Sequence, residues 1–218
     1  MWPAIGHVLP LAVAVALSSV PIMAIVLILL SPNRVRSAVP FLIGWVLGLA
    51  AVVTGFTLLA QTIPTPRHPQ VALGITEIVI GAAIMTLAAI TWRQAPPAAA
   101  REPSWRRAVS SLGPWASFGF ACALNLRPKA VLLAAATGLV IRADDVNIAQ
   151  GAIVIGVYTI ISATTVAGPV IATLMAPDKT KGWLLSAQHW LNENSPVVAV
   201  VVMLIIGVAL IGNGITRL

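Results

Sequence analysis

Long runs of apolar residues, separated by short clusters of proline, asparagine and charged residues, extend over the whole chain. A helix needs roughly 20 mainly apolar residues to span a bilayer, and the runs reach that length repeatedly. Proline-containing and basic segments such as 31–34 and 63–69 mark where one run ends and the next begins. The pattern predicts an all-α membrane protein with six transmembrane helices, at 5–31, 38–61, 71–92, 114–140, 148–176 and 196–216.

The segment 179–194 has a different pattern, in which apolar residues recur on one face of a helix and polar residues occupy the other. We predict a short amphipathic helix over 180–193 that lies in the membrane interface with its tryptophans at headgroup depth. A helix packed on neighbouring loops is an alternative that the pattern leaves open. The apolar face consists of Trp183, Leu184, Ala187, Trp190 and Leu191.

Composition agrees with a membrane protein, because 59% of the 218 residues are hydrophobic and only 9% are charged. The net charge of +7 would suggest nucleic acid as a partner of a soluble protein. Here the basic residues lie mostly between the apolar runs, so anionic membrane lipids and topology explain the charge better. We therefore expect no nucleic-acid partner.

The distribution of cations predicts the orientation in an inner (plasma) membrane. Cytoplasmic loops are enriched in Lys and Arg, and the loops after the first, third and fifth spans hold most of the basic residues. This places the N- and C-termini on the outer side. The cations in these three loops are Arg34, Arg36, Arg93, Arg101, Arg106, Arg107, Lys179 and Lys181.

The same topology divides the chain into two halves of three spans each, 1–92 and 114–218. The basic, Pro/Ala-rich segment 93–113 is the predicted cytoplasmic linker between them. Because the halves begin on opposite sides of the membrane, we expect them to be inverted repeats.

One apolar run contains residues that are costly inside a bilayer. Asn125, Arg127, Pro128 and Lys129 occur near the middle of the span 114–140. A cation at this depth costs at least about 2.5–3.5 kcal/mol and is typical of a functional site, and a proline inside a helix costs about 3 kcal/mol. We predict a helix broken at Pro128, with cations that bind an anionic or phosphate-bearing substrate. Snorkelling of the cations beside a simple kink is the alternative.

A second proline interrupts the first span of the first half. Pro21 follows Ser18 and Ser19, and a proline leaves backbone carbonyls one turn earlier without their helical partners. Broken helices in membranes usually face a cavity. If the breaks at Pro21 and Pro128 meet at the middle of the membrane, their polar residues form one substrate site.

Glu77 is the only acidic residue well inside a predicted span. It is a candidate counter-ion for Arg127 or Lys129, or a proton carrier if burial raises its pKa. A carboxylate in contact with interfacial water is the alternative.

Two glycine-containing motifs also lie in the spans. Gly168 and Pro169 form a candidate helix break, for which a plain kink is the simpler explanation. Gly44 and Gly48 permit two helices to approach closely, which would also allow a homodimer.

The sequence gives little reason to expect an enzyme. The histidines His7, His68 and His189 are scattered over span ends and loops, so no metal-ligand cluster is predicted. No phosphate-binding loop, nucleophile elbow or pair of carboxylates occurs in the sequence. We expect no cofactor, no metal and no catalytic residues.

Several motifs, taken in their order, make the chain similar to the GAP/Sap lipid-addressing proteins of mycobacteria, which belong to the lysine-exporter superfamily. Relatives usually have Asn-Pro-Lys in the fourth span, whereas Leu126 and Arg127 stand between Asn125 and Pro128 here. Val20 replaces a glycine that often precedes the first-half proline. The motifs are Ser18–Ala24, Ser31–Arg34, Phe41–Gly48, Asn125–Ala130, Ala167–Val170 and Trp190–Asn194.

The resemblance implies an inner-membrane transporter or flippase that exports a cell-envelope glycolipid or lipid precursor, with proton coupling as one option. Asn125, Arg127 and Lys129 would then bind the polar headgroup, and Pro21 and Pro128 would open the helices. The alternatives are an exporter of amino acids or other small solutes, and a non-transporting scaffold that serves a larger lipid transporter.

Overall fold

A computed structural model describes residues 2–32, 34–62, 69–93, 109, 112–144 and 146–216. Within these ranges the chain is all-helical, as predicted, and its long segments form eight helices. Most of the linker 93–113, with Arg101, Arg106 and Arg107, lies outside the described residues. The helices are α1 (Trp2–Ala16), α2 (Ser19–Leu30), α3 (Arg34–Thr62), α4 (Pro69–Arg93), α5 (Pro114–Leu124), α6 (Pro128–Ala143), α7 (Ile148–Met175) and α8 (Pro177–Thr216).

The apolar helices support a multi-pass membrane protein. By length and hydropathy, α3, the part of α4 from Gly74 to Arg93, and α7 can each cross a bilayer alone. Two further candidates are bent pairs, α1 with α2 at 49° and α5 with α6 at 62°. The described helices therefore contain three to five candidate spans. The apolar segment Val197–Gly212 is shorter and belongs to α8.

The prediction of a separate interfacial helix over 180–193 is wrong in one respect. This segment and the predicted sixth span form the single helix α8, which continues from Pro177 to Thr216. Leu184 and Leu191 are buried, while Trp183 and Trp190 remain 54% and 53% exposed. A proline, Pro196, stands where the predicted interfacial helix and the predicted sixth span meet. It removes one amide donor but does not force a helix to end.

The predicted helix break at Gly168 and Pro169 is also corrected. The helix α7 runs through both residues without interruption, and Pro169 is buried. A proline inside a helix removes one hydrogen bond, and burial against neighbouring helices can hold the helix together across that gap.

Each bent pair packs against the long helix of the other half of the chain. The helices α1 and α2 lie against α7, and α5 and α6 lie against α3. The helix α3 contacts α7, and α4 forms its most extensive contact with α8. The core between these helices contains large, fully buried side chains such as Phe41, Val53 and Tyr158.

Glycines set the close contact between α3 and α5. A Cβ atom on Gly44 would lie 2.5 Å from the carbonyl oxygen of Phe118, and one on Gly48 would lie 2.5 Å from Asn125 Nδ2. The thiol of Cys122 donates to the Gly44 carbonyl at 3.3 Å. The two glycines therefore serve packing within the chain, so they give no support to a homodimer through this motif.

A second set of glycines, which the sequence analysis did not single out, joins α4 to α8. A Cβ atom on Gly81 would lie 2.8 Å from the Gly207 carbonyl oxygen, and one on Gly214 would lie 2.6 Å from that of Gly74. Because both contacts are with backbone atoms, the two helices approach closely at two points that are seven residues apart on each helix. Small residues allow this approach between membrane helices.

We expect Gly44→Ala to destabilise the protein by about 1–3 kcal/mol, because the new methyl group would overlap the backbone of α5. Thermal unfolding in detergent measures the change. Gly55→Ala on the same helix is the matched control, since nothing lies within 4 Å of a Cβ atom there. Equal stability of the two variants would contradict the close contact.

Candidate functional site

The interruption between α5 and α6 follows from local chemistry around Pro128. The ring of a proline disfavours helical geometry in the preceding residue, and Arg127 has the extended values φ −71° and ψ 148°. Pro128 then occupies the first position of α6, where a missing amide donor costs nothing. The break predicted at Pro128 is thus present, over Asn125–Arg127.

Asn125 closes the end of α5 from inside the bundle. Its amide nitrogen Nδ2 donates to the Ala121 carbonyl at 3.1 Å, while its backbone N–H donates to Cys122 at 3.1 Å. The side chain thereby satisfies a carbonyl that the backbone no longer reaches. Asn125 is 1% exposed, and its Oδ1 has no hydrogen-bond partner.

The two cations of the break differ in their surroundings. The side chain of Arg127 is exposed, and the neighbouring Leu126 is 68% exposed. Lys129 is half-buried, and its Nζ is enclosed without a hydrogen-bond partner. No side chain caps the N-terminus of α6. Positive charge and free amide donors therefore occur together at this helix end.

The interruption in the first half lies upstream of its proline. The helix α1 ends at Ala16, Ser18 has the extended values φ −72° and ψ 114°, and Pro21 is in the first turn of α2. A proline ring collides with the carbonyl four residues earlier, here that of Leu17, which explains why the helix stops before Ser18. The break is therefore present but lies three residues before Pro21.

Hydroxyl groups of α7 bind carbonyls at the end of α1. The Thr165 Oγ1 donates to the Ala16 carbonyl at 2.6 Å, and the Ser162 Oγ donates to the Ala12 carbonyl at 3.3 Å. The Ala16 carbonyl is the last of α1 and has no amide partner within that helix, so in an apolar environment it needs another donor. The sequence analysis missed this role, for which the only signal was the polar cluster in an otherwise apolar run.

A buried polar cluster extends from these contacts into the core. The hydroxyl of Tyr158 is hydrogen-bonded with the side chains of Thr137 and Ser162. Thr137 in turn donates to the Leu133 carbonyl at 2.8 Å. The cluster connects α1, α6 and α7, and all three side chains are at most 1% exposed. It fixes the position of α6 beside the first break.

Glu77 lies against the second half of α6 and not next to the break. It is 9% exposed and lines a small cavity of about 10 Å³ with Ala136 and Val140. At 1.5 Å per residue, Ala136 is about 10 Å along α6 from Lys129. The role of Glu77 as a counter-ion or proton carrier stays a prediction.

The structure brings the predicted site residues together in two groups. One consists of Ser18 and Ser19 near Pro21, and the other of Asn125, Arg127 and Lys129 around Pro128. Ser19 is buried and Ser18 is half-buried. A single site in which the two groups meet remains a prediction.

No metal site emerges from the part of the chain that the structure describes, since it holds no group of three His, Cys, Asp or Glu side chains suited to a metal ion.

The model of the family described as Sap, sulfolipid-1-addressing protein, matches residues 8–216 of the chain. The match covers both breaks and, apart from residues 2–7 of α1, all the candidate spans. No curated protein and no solved structure shows a significant match to the chain.

We expect Thr165→Val to lower stability by about 1–3 kcal/mol, because the buried carbonyl of Ala16 would lose its donor. Unfolding in detergent measures the change. Thr164→Val is the control, since the exposed Thr164 hydroxyl bonds only to the Ile161 carbonyl of its own helix. If both variants lose the same stability, Thr165 does not secure the break.

Proposed function

The chain belongs to the Sap, sulfolipid-1-addressing protein, family, and we propose that it exports an anionic cell-envelope glycolipid or lipid precursor across the inner membrane. The observation that carries the proposal is the break at Asn125–Arg127. There an uncapped helix end, the buried Nζ of Lys129 and the exposed guanidinium of Arg127 offer positive charge to one substrate group. Half-helix N-termini bind anionic groups of substrates in other broken-helix transporters.

The exposure of this break favours a lipid over a small solute. Leu126 and Arg127 are exposed, so a headgroup can reach the cation while the acyl chains remain in the bilayer. An exporter of amino acids would instead need a polar path enclosed by helices. The cations also disfavour a cationic substrate such as lysine.

The residue types at the break suit a sulfate or phosphate group. Arginine forms paired hydrogen bonds with such groups, and lysine adds a compact charge. Because Leu126 and Arg127 separate Asn125 from Pro128, this chain has an additional cation at the break. We propose that Arg127 determines the preference for an anionic headgroup.

We further propose six spans arranged as two inverted repeats, with α8 containing the sixth. The packing supports this arrangement, because it is reciprocal. The first bent pair contacts α7 of the second half, and the second bent pair contacts α3 of the first half. The pairs α3 with α7 and α4 with α8 would each lie across a twofold axis. Membership of the lysine-exporter superfamily remains part of the proposal.

Two contacts support the proposed orientation. The His7 Nδ1 lies 3.1 Å from Asp144 Oδ2, so the start of α1 and the end of α6 are on the same side. On the other side, Ser37 Oγ donates to the Leu112 carbonyl at 2.8 Å, which joins the start of α3 to the chain before α5. The cation distribution assigns this second side to the cytoplasm.

The double variant Arg127→Gln with Lys129→Gln should lower the rate of lipid movement at least roughly tenfold, because two charged contacts to the headgroup are lost. The assay follows a fluorescent sulfated glycolipid across the bilayer of proteoliposomes that contain the purified full chain. Arg93→Gln is the matched control, since it removes an exposed cation in the last turn of α4. Folding is checked by thermal unfolding.

The other functions give different results in the same assay. Movement of lysine but not of the lipid would identify a small-solute exporter. A wild-type chain that moves neither compound would identify an accessory scaffold for a larger lipid transporter. An unchanged lipid rate in the double variant would overturn the role of the two cations.

A further inference from the structure

A second cationic region lies at the C-terminal end of α2, which is the end away from the break at Ser18. Here a half-open cavity of about 370 Å³ is lined by the ends of α2 and α7, the start of α3 and the first two turns of α8. Its volume falls within the roughly 300–1,000 Å³ of pockets that bind small molecules. The residues around it are Leu29, Leu30, Ser31, Pro32, Arg34, Thr173, Pro177, Lys181 and Leu184.

The polar residues of the cavity favour a bound anion. Arg34 begins α3 and Lys181 lies in the second turn of α8, so two cations from distant parts of the sequence face one space. Pro177, the first residue of α8, also lines the cavity. Helix N-termini favour negative charge. None of the nine described lining residues is acidic. The side chain of Asp178 lies outside the described residues.

A buried hydroxyl gives independent support. Thr173 is 4% exposed and lines the cavity, yet its Oγ1 has no hydrogen-bond partner. A buried polar atom without a partner costs about 1–3 kcal/mol, and almost all such atoms in folded proteins are satisfied. A ligand oxygen in the cavity would supply the missing bond.

The apolar part of the cavity indicates that the ligand is amphiphilic. Leu29, Leu30 and Leu184 form one side of it, and Leu184 is 1% exposed. A free inorganic ion would leave this surface unused, whereas the glycerol and upper acyl carbons of a lipid would cover it. The exposed Trp183, next to Leu184 in the sequence, is typical of side chains at headgroup depth.

We propose that this cavity binds the phosphate or sulfate ester headgroup of an anionic lipid at the cytoplasmic surface. The site is distinct from both breaks. Leu30 is about 17 Å along α2 from Ser19 at 1.5 Å per residue, and none of Asn125, Arg127 and Lys129 lines the cavity. The proposal goes beyond lipid export, since lipid can bind here whether or not the break transports it.

The test measures lipid binding to the purified full chain by native mass spectrometry, with phosphatidylglycerol and phosphatidylcholine as probes. Wild-type protein should retain phosphatidylglycerol in preference to phosphatidylcholine. The double variant Arg34→Gln with Lys181→Gln should weaken phosphatidylglycerol binding by roughly tenfold or more, because two charged contacts are lost. Equal retention of both lipids by the wild-type protein would overturn the proposal.

The matched control is Arg36→Gln with Lys179→Gln. It removes the same charge from the first turns of the same two helices, at exposed residues that do not line the cavity. Its effect should stay below about fivefold, because neither Arg36 nor Lys179 lines the cavity. Equal losses in the two double variants would show attraction by diffuse surface charge and overturn the site.

Thr173→Val provides a test that does not alter charge. We expect phosphatidylglycerol binding to weaken roughly two- to tenfold, while the melting temperature of the lipid-free chain stays the same or rises. Unchanged binding would contradict the role of the hydroxyl.

Inorganic phosphate and sulfate distinguish a lipid from a free anion. Each should displace bound phosphatidylglycerol only at concentrations far above that of the lipid. Displacement at comparable concentrations would show that the apolar surface contributes nothing and would overturn the assignment to a lipid. The variant Arg127→Gln with Lys129→Gln should still retain phosphatidylglycerol, which would show that lipid binds in the cavity independently of the break at Asn125–Arg127. This result would hold even if the transport assay shows that the break does not export lipid.

Discussion

The structure depends on the need of every backbone polar group for a partner in an apolar environment. A continuous helix meets this need by itself, but two helices of this chain are interrupted in the middle of apolar runs. At each interruption a side chain replaces a lost backbone donor. Asn125 binds the Ala121 carbonyl from within its own helix, while Thr165 binds the Ala16 carbonyl from a different one. The hydrogen bond between Thr165 and Ala16 forms only while α7 stays packed against α1.

Close packing is therefore a condition for the breaks. Gly48 lets α3 approach until it touches the amide of Asn125, and a Cβ atom on Gly138 would lie 2.8 Å from the backbone of Phe56 and Thr57. These contacts bring α3 against both halves of the second bent pair. The first bent pair is held by two hydroxyl groups of α7, because Ser162 and Thr165 donate hydrogen bonds to carbonyls of α1. The two breaks are thus supported by different chemistry at comparable places in the fold.

Two regions of the structure suit negative charge. One is the break at Asn125–Arg127, with Arg127 and Lys129, and the other is the cavity at the end of α2 that Arg34 and Lys181 line. One region lies within an apolar span and the other at the end of the bundle. A lipid with a charged headgroup and apolar chains can satisfy both environments, whereas a free solute satisfies only their polar parts.

The sequence alone determined the helical class, the extended apolar segments and the break before Pro128, because these depend on composition and on the local geometry of a proline. It also identified Arg127 and Lys129 as cations that lie inside a predicted span and not in a loop. Only the tertiary structure decided that α7 and α8 continue through their predicted interruptions, since packing can compensate for one missing hydrogen bond. It alone revealed that Thr165 secures the end of α1 and that Arg34 and Lys181 share a cavity. Contacts between residues so distant in sequence depend on how the helices pack against each other. Hydrophobic periodicity predicts where helices form but not which helices pack together.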